Sequence, residues 1–105
     1  MTISWKDGAL DDFKQITAWY YNDRNSQAAE KFIDNVFHCI ELLTQNPLMG
    51  HPEEFSTKKL TGYRSLVIHP YYKIVYKVNS NNTLDITAIW DCRQNDKNLI
   101  KSLVR

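Results

Sequence analysis

Apolar and polar positions along this chain recur in two rhythms, first at helical spacing and later at every second residue. Thr2–Trp5 alternates weakly and predicts a short strand. Leu10, Phe13, Ile16 and Tyr20, with Trp19 beside them, follow the helical period. Asp7 is placed to cap that helix, its carboxylate accepting amide hydrogens of the first turn. Asn22–Asn25 is polar and breaks the pattern. Ser26 is the expected cap of a second helix, with Glu30 favourable in the first turn. Ala29, Phe32, Ile33, Val36, Phe37, Ile40 and Leu43 then form one apolar stripe, while Lys31, Asp34, Asn35, His38 and Glu41 fall mainly opposite. Asn46-Pro47 stops the helix, because a residue preceding proline avoids helical backbone angles. Two amphipathic helices with so short a break predict an antiparallel hairpin.

Residues 47–62 read as a loop punctuated by Pro47, Gly50, Pro52 and Gly62, with Lys58 and Lys59 near its end. Beyond it the period becomes two. Tyr63 to His69 predicts a strand that ends before Pro70. Tyr72, Ile74, Tyr76 and Val78 share one face of the next, with Lys73, Val75 and Lys77 on the other. After the polar turn Asn79–Asn82, the residues Leu84, Ile86, Ala88 and Trp90 alternate with Asp85, Thr87, Ile89 and Asp91. Asp96 is placed to cap a short last helix carrying Leu99, Ile100 and Leu103. The expected fold is α+β: an N-terminal strand, an antiparallel helical hairpin, a three-stranded antiparallel sheet packed on the helices, and a short C-terminal helix. Ile74, Tyr76, Ile86 and Ala88 should face the helix stripe, leaving the other sheet face partly open.

Composition agrees with a folded domain. The chain has 105 residues, 43% of them hydrophobic, 12% aromatic and 24% charged. That is one domain, residues 1–105, large enough to bury a core without staples. No apolar run approaches the roughly 20 residues that span a membrane, and Trp5, Lys6 and Asp7 interrupt the apolar start, so no secretion signal is predicted. Cys39 and Cys92 lie far apart in no metal-ligand spacing and read as reduced, buried thiols of a cytoplasmic protein.

Net charge is only +1, but it is unevenly placed. Residues 1–55 hold nine acidic side chains against four Lys and Arg, and residues 56–105 hold three against nine. The second half therefore favours a polyanion or an acidic protein partner.

Candidate chemistry is sparse. There is no glycine-rich phosphate loop, no paired-cysteine motif and no His-Glu metal motif, so neither cofactor nor metal is predicted. Of the three histidines, His38 sits on the second helix, His51 in the loop, and His69 at a strand end near the basic residues. Arg64, Lys73 and Arg93 lie on or just after neighbouring strands. Strands about 5 Å apart would let three such cations converge on one phosphate; alternatively each pairs with a carboxylate such as Asp85 or Asp91. Tyr71 and Tyr72 could stack on bases or polarise a hydroxyl, although strand tyrosines and Trp90 more often pack.

Asn46-Pro47, Gly50, Leu60 to Tyr63-Arg64, Tyr72–Val78 and Ile89-Trp90-Asp91-Cys92-Arg93-Gln94-Asn95, taken in that order, resemble the RelE/ParE superfamily of type II toxin–antitoxin toxins over nearly the whole chain. The resemblance implies a small growth-inhibiting toxin neutralised by a cognate antitoxin that wraps around it. One branch cuts messenger RNA on the ribosome; the other poisons DNA gyrase and is not a nuclease. On the nuclease pattern, Arg64, Lys73 and Arg93 match basic catalytic positions, Lys73 standing at an arginine position without the bidentate fork. A second basic position falls on Leu66, and the C-terminal tyrosine falls near Leu99. The cations for clamping a phosphate are thus implied without a proton-handling group, for which His69 or Tyr72 would have to substitute. Whether the chain is an enzyme is left open on this pattern. The helical hairpin and the Gly50 loop resemble the gyrase-directed branch, and a non-toxic, binding-only member of the fold is the alternative.

Overall fold

In a computed structural model, which describes residues 1–55 and 60–104, the elements follow the expected order. They are β1 (Thr2–Trp5), α1 (Asp7–Asp23), α2 (Ser26–Gln45), β2 (His51–Pro52), β3 (Tyr63–Ile68), β4 (Tyr72–Val78), β5 (Thr83–Asp91) and α3 (Asp96–Leu103). Lys58, Lys59 and Arg105 lie outside the described residues.

Each expected cap is displaced by one residue. Lys6, not Asp7, occupies the position before α1 and makes no side-chain cap. Asn25 rather than Ser26 caps α2, its side-chain oxygen accepting from the Ala28 amide at 2.7 Å. Asn95 rather than Asp96 caps α3 through the Lys97 amide at 2.9 Å. Asp7 and Asp96 instead open their helices, where a carboxylate favours the positive end of the helix dipole.

The sheet is larger than three strands and is mixed. Its order is β1-β5-β4-β3-β2. The β3–β4–β5 meander is antiparallel as expected, but β1 lies parallel to β5, with Thr2 opposite Thr83 and Trp5 opposite Ile86. The segment expected to be wholly loop contributes the two-residue β2, pairing His51 with Ser65 and Pro52 with Arg64. The turn between β4 and β5 places Asn82 at φ 62°, a left-handed conformation that asparagine tolerates.

A bulge resets the faces of β5. Val75 pairs with Ala88 but the next residue, Tyr76, pairs with Ile86, so Thr87 is extra on its strand. Its hydroxyl donates to the Val75 carbonyl at 2.9 Å. An inserted residue inverts the alternation beyond it. Leu84 and Ile86 face the helices, but the next residue to do so is Ile89, not Ala88. Ala88 turns to the opposite face with Val75 and Leu99, beside half-buried Trp90. Asp12 of α1 fastens the strand past the bulge, its carboxylate accepting from the Ile89 amide at 3.1 Å.

The main core lies between the helical hairpin and the sheet, joining Phe32, Val36, Ile40 and Leu43 of α2 to Ile68, Tyr72, Ile74, Tyr76, Ile86 and Ile89. The α2 stripe is narrower than its sequence suggests. Phe37 is 52% exposed, whereas Cys39 is buried. The second sheet face is closed in part by α3, through Leu99 and Leu103. Cys92 was expected to be buried and is exposed.

Candidate functional site

The three strand cations do not converge. Residues paired across adjacent strands share a face of the sheet. Arg64 pairs with Tyr76, which faces the helices; Lys73 pairs with Val67 and Trp90, on the reverse. Arg64 and Lys73 therefore leave opposite faces of the sheet.

Each cation is also engaged locally. One guanidinium nitrogen of Arg64, Nη1, donates to the carbonyls of Leu48 at 3.2 Å and Gly50 at 2.9 Å. Lys73 Nζ donates to Glu53 Oε1 at 2.6 Å, and both side chains are mostly buried. Arg93, beyond β5, forms two bonds to the Asp91 carboxylate, at 3.0 and 2.8 Å, and its guanidinium lies 4.1 Å from the centre of the Tyr71 ring. The hydrogen bond from Arg93 holds the Asp91 carboxyl below its ordinary pKa, against the opposing effect of burial. Asp85, offered by the sequence as a partner for these cations, instead meets Lys6 at 3.7 Å and accepts from Asn79.

Arg64 belongs to a clamp that the sequence did not disclose. The Tyr76 side chain is fully buried. Its hydroxyl accepts from the Gly50 amide at 3.0 Å and donates to the Pro47 carbonyl at 2.7 Å. Burial raises the hydroxyl's pKa, outweighing the lowering by the Gly50 amide and by Arg64, so it stays protonated as a donor. Tyr76 and Arg64 together bind four backbone groups of residues 47–50. Gly50 permits this close approach, because a Cβ there would stand 2.5 Å from the Tyr76 hydroxyl and 2.8 Å from the Ser65 carbonyl. The clamped loop displays Leu48 and Met49, 63% and 40% exposed. Pro47 and Gly50 were visible as loop punctuation, but Tyr76 gave no signal beyond its place in an apolar alternation.

Of the two accessory candidates, Tyr72 lines a small cleft together with Arg93 and Asp91, whereas His69 lies elsewhere. Tyr72 is buried in an aromatic cluster, its ring centre 5.4 Å from that of Phe32 and 6.4 Å from that of Tyr20. Burial raises its pKa first of all, with Tyr20 and Asp91 adding to the effect. His69 is exposed in the β3–β4 turn and lines a different feature, a cleft of about 490 Å³ between that turn and the tip of the helical hairpin. Trp19 from α1, Arg24 from the turn after it, Lys31 from α2 and Tyr71 complete much of its wall. Although exposed, Cys92 has a thiol pKa raised mainly by partial desolvation, against a lowering by Lys73. Among the described residues no group of three or more His, Cys, Asp or Glu is placed to hold a metal ion, and no described helix is long and apolar enough to cross a membrane.

A family model described as the ParE toxin of the type II toxin–antitoxin system parDE matches residues 3–96. The fold is similar to that in the chromosomal ParDE system from P. aeruginosa, at 18% identity and a TM-score of 0.69, over 87% of this chain and 95% of that one. It is also similar to a YoeB/ParE toxin from Agrobacterium tumefaciens, at 21% identity and a TM-score of 0.62, over 87% and 98% of the two chains. A chain of the YoeB–YefM complex from Staphylococcus aureus is 25% identical, with a TM-score of 0.57 over 85% of this chain and 93% of that one. No curated protein sequence matches significantly.

Proposed function

This chain belongs to the ParE toxin family of type II toxin–antitoxin systems, and from that membership we propose that it stops growth by binding and poisoning DNA gyrase in the cytoplasm, not by cutting messenger RNA. The observation that carries this reading is the dispersal of Arg64, Lys73 and Arg93. Arg64 and Lys73 leave opposite sheet faces, and all three are held by neighbouring protein groups. Stabilising a cleaving phosphodiester needs donors aimed at one point, where charge develops in the transition state. It also needs a positioned acid or base. Tyr72 is 4% exposed and packed against Phe32, and Leu99, at the expected tyrosine position, is itself buried.

A toxin that works by binding needs rigid display, not transition-state geometry. The clamp on residues 47–50 supplies it for Leu48 and Met49. The whole chain acts as one toxin domain, and a cognate antitoxin holds it inactive; a YoeB toxin related to it in fold occurs in a complex with YefM. The biochemical test mixes purified toxin with gyrase, supercoiled plasmid and ATP, then releases trapped breaks with detergent and protease. Toxin-dependent linear plasmid is expected, with none when the antitoxin is added first. Cleavage of ribosome-bound messenger RNA with no gyrase-dependent breaks would overturn the proposal.

A further inference from the structure

The cleft at the tip of the helical hairpin joins aromatic rings to cationic side chains. Two of its walls are aromatic rings left partly in solvent, Trp19 at 39% exposure and Tyr71 at 37%. Each carries a guanidinium. Arg24 lies 5.8 Å from the centre of the Trp19 ring, and Arg93 lies 4.1 Å from that of Tyr71. Lys31 and His69 also line the cleft, Asn35 adds an amide, and no carboxylate is among its lining residues. Arg24 and Lys31 have no ion-pair partner among the described residues. The acidic residues nearest this end of the hairpin in sequence, Asp23, Glu30 and Asp34, lie outside the lining.

From this we propose that the cleft binds a nucleoside phosphate, the base stacking against Trp19 and Tyr71 and the phosphate held by Arg24 and Lys31. Flat aromatic faces beside mobile cations are how proteins hold unpaired nucleotides without regard to sequence. An acidic peptide would meet the same cations but would leave the flat rings without matching planar partners. The volume, about 490 Å³, falls within the range of small-ligand sites. Asn35 can donate to or accept from a base edge. The nucleotide can come from solution or from a single strand. The site does not depend on the toxin's target, since Arg64, Lys73 and the clamped loop form no part of its lining.

The test titrates the intact toxin, without gyrase, with ATP, with a labelled single-stranded thymidine decamer, with the matching duplex, and with a polyglutamate peptide. Saturable binding of ATP or of the single strand, tighter than that of the duplex, is expected. A decamer that binds more tightly than ATP identifies a strand as the source, and equal affinities identify a free nucleotide. For the decamer, the log–log slope of affinity against salt should be about −1.4, the value for two phosphates neutralised on a single strand. Loss of stacking in Trp19→Ala should weaken binding about tenfold, with Trp19→Phe retaining most of it. Arg24→Gln combined with Lys31→Gln, both at exposed positions, should weaken it at least as much and leave the melting temperature unchanged, which keeps the test decisive if Trp19→Ala folds poorly. Absence of saturable nucleotide binding would overturn the proposal, as would binding that neither variant changes. Polyglutamate binding at the cleft without nucleotide binding would also overturn it and make the cleft an acidic-peptide site.

Discussion

Arg64 and Arg24 are both arginines close to aromatic rings, yet their surroundings differ completely. Arg64 is drawn into the structure, spending its donors on the Leu48 and Gly50 carbonyls beside a buried tyrosine. Arg24 lies in the turn of the hairpin over a half-exposed indole, with no carboxylate partner among the described residues. The strand cations, prominent in the sequence, are each held by neighbouring protein groups, whereas Arg24 and Lys31 of the hairpin have no ion-pair partner among the described residues. A cation's position on a strand says little about its use until the carbonyls and carboxylates around it are known.

Substitutions in the clamp should have the largest effects on folding. Gly50→Ala drives a Cβ against the Tyr76 hydroxyl and the Ser65 carbonyl, and overpacking of this kind costs about 1–3 kcal/mol. Tyr76→Phe keeps the packing but leaves the Gly50 amide and the Pro47 carbonyl without their partner, a loss of about 1–3 kcal/mol. Urea denaturation measures both. Hydrogen exchange at Gly50 should accelerate in Tyr76→Phe before global unfolding does. If toxicity falls in step with that local opening, the displayed loop is part of the toxin's working surface.

Lys73→Met should come next. It strands Glu53 mostly buried without its partner, at a cost of about 1–3 kcal/mol. The double variant Lys73→Met with Glu53→Gln should recover much of that stability. Recovery of toxicity alongside it would mark Lys73 as structural, whereas recovered stability with toxicity still absent would return Lys73 to the list of catalytic cations. Arg24→Gln with Lys31→Gln should move stability by less than about 0.5 kcal/mol, the counterpart to the clamp.

The smallest effect concerns the Asp91–Arg93 pair. The Asp91 carboxyl is held below its ordinary pKa by Arg93. Its contribution to stability is therefore fully present above the unfolded-state value of about 3.9 and is lost as pH falls through the lower folded value. Melting temperatures taken downward from pH 5 should fall more steeply in the native chain than in Asp91→Asn. Parallel curves would show that the pair is too solvated to matter.

Much of the architecture was legible in the sequence because it rests on periodicity. The α2 stripe, the Asn46-Pro47 stop and the β3–β4–β5 alternation each announce themselves locally. What was hidden is relational. Nothing local distinguishes a capping Asn25 from an equally suitable Ser26 one residue later. The Thr87 bulge cannot be read from an unbroken alternation, so the pattern predicts Ala88 on the helix-facing side, where the structure puts Ile89. The pairing of β1 with β5 joins residues some 80 apart in the chain. The site was less legible than the fold for the same reason. Arg64 and Lys73 look like neighbours on adjacent strands, and only the register shows that their side chains leave opposite faces. His69 proves to be near cations, but those of the hairpin cleft.

The most direct test of the account is induced expression in a bacterial host, with transcript integrity and chromosome breakage followed in the same cells. The account predicts growth arrest with intact messenger RNA and gyrase-dependent DNA breaks, abolished by a gyrase variant that the toxin cannot engage. Arrest with transcripts cut in the ribosomal reading frame and an unbroken chromosome would contradict it.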